Sequence, residues 1–165
     1  MKAGTMDIAT SMKAVVSPPR DDDSTLEHYF PQHRESIRVL LIDDDGGDAA
    51  MIKTLMANSK QLDFSLVTCR SVEEGRNAIE QSEFDVALID YWLGYETSIG
   101  FIHAFSQSQP VPCVLLTGLD TPEIRRIAFR AGVAAFLAKD GLSIQAIEGV
   151  TMAVLRRDIG LSRAV

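Results

Sequence analysis

Five short, unbroken apolar runs recur along the chain: IRVLLID (37–43), DFSLVTC (63–69), FDVALID (84–90), VPCVLLT (111–117) and AAFLA (134–138). A strand with one wet face alternates apolar and polar residues, whereas most of these runs do not. They read as strands buried on both faces, the pattern of a parallel sheet. Helical signals fill the gaps. Met51, Ile52, Leu55 and Met56 lie at helical spacing within 48–59, and either Asp45 or Asp48 caps that helix. Ser71 and Glu74 have capping-box spacing and open a helix to about Ser82. A weaker pattern spans 98–107. Thr121 followed by Pro122 is an N-cap with proline at the first helical position, and Gly132 closes that helix. Ser143 caps a last helix reaching about Arg157. Strand and helix thus alternate five times. The expectation is an α/β fold: a doubly wound five-stranded parallel sheet, order 2-1-3-4-5, with helices on both faces.

Residues 1–35 lie outside this pattern. SPPRDDDSTLEHYFPQHRES mixes prolines, an acid triplet and polar residues without periodicity, so the segment is expected to be a largely flexible extension, with a short helix among residues 5–15. The expected folded domain is 36–158, with 159–165 as a short tail. A length of 165 residues suits one such domain. The net charge of −7 argues against sequence-independent nucleic-acid binding, which needs a basic face. No apolar stretch has the length of a membrane span, and the N-terminus lacks the apolar core of a secretory signal. Cys69 and Cys113 both fall in strand-like runs and read as buried free thiols in a reducing compartment, so a cytoplasmic protein is expected. His28, His33 and His103 have no metal-ligand spacing and receive no role.

The strand ends carry the chemistry. The first ends on Asp43, Asp44 and Asp45, the third on Asp90, the fourth on Thr117 and the fifth on Lys139. In an open doubly wound sheet, ligands bind beyond the carboxyl ends of the strands where the order reverses, here between the first and third. Carboxylates about 4 Å apart repel by roughly 4 kcal/mol per pair at an effective dielectric near 20. The cluster must take up protons, recruit a cation or lower the stability of the fold. Oxygen ligands without histidine or cysteine select a hard cation such as Mg²⁺. A lysine and a hydroxyl complete a set suited to handling phosphoryl groups. Singly, Thr117 is an ordinary strand-end threonine and Lys139 an ordinary surface lysine; four strand ends agreeing carry the reading.

On these residues the chain from about 37 to 157 resembles a two-component response-regulator receiver domain, of the CheY-like, single-domain type. VLLIDDD matches the acidic pair of that family, ALIDYWLG its phospho-acceptor strand, VLLTG its hydroxyl and AFLAKD its lysine. The resemblance implies that Asp90 is phosphorylated by a histidine kinase or histidine phosphotransferase. It implies Mg²⁺ held by Asp44, Asp90 and the Trp92 carbonyl, and by Asp43 through water. Lys139 and Thr117 would bind phosphoryl oxygens, and Phe136 would switch with Thr117, changing the face between the fourth and fifth helices. Signalling to a downstream protein target, or relay of phosphate, would follow, and a homodimer could form through that face. The phosphoryl chemistry would be self-catalysed rather than enzymatic turnover, with neither nucleic acid nor membrane engaged directly. Bulky apolar groups flank the acceptor at Trp92 and Leu119, which predicts a long-lived aspartyl phosphate.

The sequence departs from the family pattern in the loop YWLGYETSIG, and at Asp140, where a proline often follows the lysine. No output domain is expected after Arg157. Two other readings compete. A pseudo-receiver would keep the fold as an interaction module without phosphorylation. A haloacid-dehalogenase-like phosphatase would use Asp43 of LLIDDDGG as nucleophile. The latter meets Gly47 where its threonine belongs, finds no acidic pair at a strand end after Lys139, and leaves Asp90 unexplained.

Overall fold

A computed structural model describes residues 36–162, with side chains to Arg156. The expectations for residues 1–35, and for the last three residues of the tail, lie outside the described residues. Strands β1 (Ser36–Ile42), β2 (Asp63–Cys69), β3 (Val86–Asp90), β6 (Cys113–Thr117) and β7 (Val133–Ala138) form one parallel sheet in the order β2-β1-β3-β6-β7. This is the expected topology, with the strand order reversing beside β1. Between β3 and the third helix lie two additional two-residue strands, β4 (Trp92–Leu93) and β5 (Glu96–Thr97), paired as an antiparallel hairpin.

The central runs, in β1, β3 and β6, are unbroken because each of these strands feeds two cores, whereas edge strand β2 alternates exposed and half-buried residues over most of its length. Leu40, Ile42, Ala87, Ile89, Cys113 and Leu115 point to one face, where α2 (Val72–Gln81), α3 (Ile99–Ser108) and α4 (Pro122–Ala131) pack. Val39, Leu41, Val86, Leu88, Val114 and Leu116 point to the other, covered by α1 (Gly46–Ala57) and α5 (Ile144–Ser162). The period-two alternation of a strand is intact; both halves of it are apolar. Cys69 and Cys113 are buried free thiols, and burial pushes Cys113 up to about 12.

Local signals set most helix starts. Asp45 is the N-cap of α1, accepting from Gly47 N and Asp48 N, so the helix opens at Gly46, two residues earlier than the apolar spacing indicates. Ser71 Oγ accepts from Glu74 N as a capping box requires, but the Glu74 carboxylate returns to Arg70 N, one residue before the cap. Thr121 caps α4 with Pro122 in the first turn. The fourth run enters the sheet only at Cys113, because Pro112 has no N–H to donate. Helix α5 runs to Ser162 instead of ending near Arg157, and so passes the expected domain limit at 158. No proline follows Arg157 to stop it, and Gly160 lowers helix propensity without forbidding the helix.

Gly132 ends α4 in the left-handed region at φ 100°, packed on α3; a Cβ there would lie 2.6 Å from Ser106 Cβ. Gly132→Ala is therefore expected to lower stability by roughly 1–3 kcal/mol in urea unfolding. Gly100, inside α3 with nothing within 4 Å of its would-be Cβ, gives the opposite sign. Gly100→Ala should raise stability by about 0.5–1 kcal/mol.

Candidate functional site

Parallel strands deliver their carboxyl ends to one edge, and the chemistry collects there. Asp43 directly follows β1, Asp90 is the last residue of β3, Thr117 the last of β6, and Lys139 directly follows β7. Asp43 is 1% exposed and Asp90 8%. Lys139 Nζ lies 2.9 Å from Asp43 Oδ2, 3.0 Å from Asp90 Oδ2 and 2.7 Å from Asp48 Oδ2. Asp43 Oδ1 accepts from Asp45 N at 3.0 Å. Its buried Oδ2 accepts no aligned hydrogen bond, so the ammonium acts on it as a neighbouring charge.

Burial raises the carboxyl pKa of both Asp43 and Asp90, against the pull of Lys139; Asp43 raises Asp90 further. Burial also opposes the charge on Lys139, but its hydrogen bond to Asp48 and its close pairing with the carboxylates of Asp43 and Asp90 outweigh it and hold the ammonium well above the ordinary lysine value. Asp44 is exposed and belongs to the same cluster: Asp43, Asp44 and Asp90 each offer an oxygen, all within 4.8 Å of one another. An all-oxygen donor set with one buried, unbonded carboxylate oxygen fits a hard divalent cation.

The loop after Asp90 is the β4–β5 hairpin. Gly94 takes φ 67° at the first position of its two-residue turn, the place a type II′ turn gives to glycine. Its backbone N–H donates to Asp44 Oδ2 at 2.9 Å, which ties the hairpin to the acids. Trp92, on β4, meets Tyr91 edge-on at 5.2 Å and is 47% exposed; Leu119 is 52% exposed. The Thr117 hydroxyl is engaged in its own loop, donating to Leu119 O and accepting from Leu119 N, both at 2.9 Å. Phe136 is half-buried and turned to α4, 4.9 Å from the Phe129 ring and with the Arg125 guanidinium 5.5 Å from its centroid. Arg125 is in turn paired with Asp120. Asp140 is exposed, and no peptide bond among the described residues is cis.

The structure thus brings together Asp43, Asp44, Asp90 and Lys139, and leaves Thr117 and Phe136 facing away into loop and helix. Two participants carry no functional signal in a sequence reading of residue types. From sequence Asp48 reads only as a helix cap. Its position carried a signal all the same, because a helical side chain leans toward the helix N-terminus, and α1 starts at the acid cluster. The Gly94 N–H is a backbone group and has no residue-type signal at all.

Removing the cation tests this electrostatic account. Lys139→Met leaves Asp43 and Asp90 buried without their counter-charge, a loss of about 3 kcal/mol at pH 7 in EDTA. Both acids have raised folded-state values, so the folded protein holds their protons more tightly than the unfolded chain. Stability from that source is present at low pH and lost as pH rises. The deficit of Lys139→Met should therefore shrink between pH 7 and pH 5 in urea titrations; a deficit independent of pH would contradict it.

Comparison with known proteins agrees with this geometry. The family model of the response regulator receiver domain matches residues 39–148. The regulatory protein VanR of Enterococcus faecium is 25% identical over 122 residues, covering 74% of this chain; the chain spans about half of VanR's length, 51%. Among solved structures, a Francisella response regulator receiver domain superposes with TM-score 0.64 at 24% identity, covering 73% of this chain and 98% of that one. The signal receiver domain of an HD domain-containing protein from Pseudomonas fluorescens gives TM-score 0.69 at 16% identity, covering 84% and 99%. At these identities the structures establish the fold alone, whereas the family model reaches the acids and the lysine at the strand ends. The phosphatase reading built on Asp43 is not favoured. The chain belongs to the response regulator receiver domain family of two-component signalling.

Proposed function

We propose that Asp90 accepts a phosphoryl group from a phosphohistidine on a histidine kinase or histidine phosphotransferase, and that the phosphorylated domain then binds a downstream protein or passes the phosphate on. The observation that carries this reading is the Lys139 ammonium 3.0 Å from a buried Asp90 carboxylate at the strand-order reversal. A carboxylate oxygen of Asp90 attacks phosphorus, the N–P bond of the donor breaks, and its electron pair stays on the imidazole. Lys139 offsets charge on the phosphoryl oxygens, as a fixed cation in a partly dry site does best. Asp44, Asp90 and the Trp92 carbonyl, with Asp43 through water, would hold Mg²⁺, which when bound supplies further charge neutralisation. The domain works on itself and is not a turnover enzyme.

The Thr117 hydroxyl would leave its Leu119 partners to bond the phosphoryl group. That movement opens space beneath the loop for Phe136 to turn from Phe129 and Arg125, altering the α4–β7–α5 face. The same face is the proposed surface for partner binding or homodimer formation. No helix among the described residues is long and apolar enough to cross a membrane.

Intact mass after incubation with a small phosphodonor and Mg²⁺ tests the acceptor. One added phosphate is expected on the wild type and none on Asp90→Asn; an adduct on both would move the acceptor elsewhere. Trp92 and Leu119 flank Asp90, and their bulk impedes an attacking water. Trp92→Asn combined with Leu119→Glu should speed loss of the phosphate severalfold, followed as decay of the phosphorylated mass. An unchanged decay rate would remove both residues from that role.

A further inference from the structure

The Lys139 ammonium has a third carboxylate partner that the receiver chemistry does not require. Asp48, on the first turn of α1, makes the shortest of its three contacts, 2.7 Å, and the one with hydrogen-bond alignment. It is also the most open of the three: its side chain is 37% exposed, against 0% for Asp43 and 11% for Asp90. Asp48 is therefore the carboxylate partner of the lysine most open to solvent and to an incoming donor. Around Lys139 the carboxylates of Asp43, Asp48 and Asp90 share one ammonium, while the Arg70 guanidinium bonds the Asp44 carbonyl at 3.1 Å and Lys53 lines the hollow beside Asp43. Among the three carboxylates on Lys139, Asp48 is the one with no place in the acceptor or cation set.

We propose that Asp48 is a specificity-determining residue that discriminates among phosphodonors by their charge, disfavouring small dianionic donors at Asp90. The inference rests on Asp90 being the phosphoryl acceptor. Acetyl phosphate is a dianion at neutral pH; the attack of Asp90 breaks its P–O bond and releases acetate with the electron pair. Phosphoramidate is a monoanion carrying an ammonium; the same attack breaks its P–N bond and releases ammonia. Asp48 repels the first about twice as strongly as the second, and it draws the lysine's charge away from both. A residue that merely held Lys139 in place would affect the two donors alike.

The experiment measures phosphorylation rates of wild type and Asp48→Asn with each donor at saturating Mg²⁺, saturation being read from Trp92 fluorescence. Asp48→Asn is expected to raise the acetyl phosphate rate about 3- to 10-fold and the phosphoramidate rate by less, the size of one unit charge acting across a wet site. The ratio of the two rates is the diagnostic. Wild type alone gives a second reading: raising salt from about 0.01 to 0.3 M should speed acetyl phosphate more than phosphoramidate, because the repulsion is screened. A ratio unchanged by the substitution, or both rates falling together, overturns the proposal, as does a salt response equal for both donors. If neither donor phosphorylates the wild type, the acceptor reading falls first and this inference with it.

Discussion

One ammonium group, brought to the carboxyl edge by β7, lies within 3.0 Å of carboxylates from three other elements: the end of β1, the end of β3 and the first turn of α1. Two of those carboxylates are almost wholly buried, and leaving such charges unpaired costs several kcal/mol each. Only a parallel sheet makes the arrangement possible. It sends every strand's carboxyl end to the same edge, so residues 96 positions apart in the chain, Asp43 and Lys139, meet without a long connection. The two apolar cores give the edge its rigidity. Leu40, Leu41, Leu88 and Ile89, immediately behind the acids, are completely buried, so the carboxylates cannot separate by sliding the strands.

The hairpin gives the edge a wall. Its backbone bond from Gly94 to Asp44 joins a loop after β3 to the acid pair after β1. A second bond, Ser98 N to Tyr91 O at 2.9 Å, closes the hairpin's base just before α3 begins. The segment YWLGYETS is therefore held at both ends and once at its tip, which fixes where Trp92 stands relative to Asp90. A loop bound only at its ends would leave that side chain free to clear the entrance.

Much of this was legible because it is encoded locally. Runs such as VALID and CVLLT have to be strands buried on both faces, and Thr121-Pro122 or Gly132 act within a single turn of helix. The four strand-end residues were also legible, since the strands place them there by necessity. What escaped were features whose cause lies across the fold. The two-residue strands of the hairpin are too short to show any periodicity. Asp48 resembles a cap until β7 brings Lys139 to within 2.7 Å of it. Thr117 is equally compatible with facing Asp90 or facing its own loop, and only the backbone of Leu119 decides between them.

That last choice bears on how a phosphate could change the surface. The Thr117 hydroxyl already has a donor and an acceptor in Leu119, and Phe136 already has Phe129 and the Arg125 guanidinium against its ring. The unphosphorylated arrangement is thus a satisfied state, not a strained one waiting to relax. Leaving it would forfeit two hydrogen bonds at about 1 kcal/mol each and a cation–π contact of about 0.5–1 kcal/mol. A gap of that size, roughly 2–3 kcal/mol, keeps the alternative arrangement near or below about 1–3% of molecules. One charge-assisted bond from Thr117 to a phosphoryl oxygen, worth about 1.5–3 kcal/mol, would bring the two arrangements to near balance. It does not by itself drive the switch to completion. Under the proposed switch the remainder would have to come from a partner binding the altered α4–β7–α5 face, so phosphate and partner would each strengthen the other's hold.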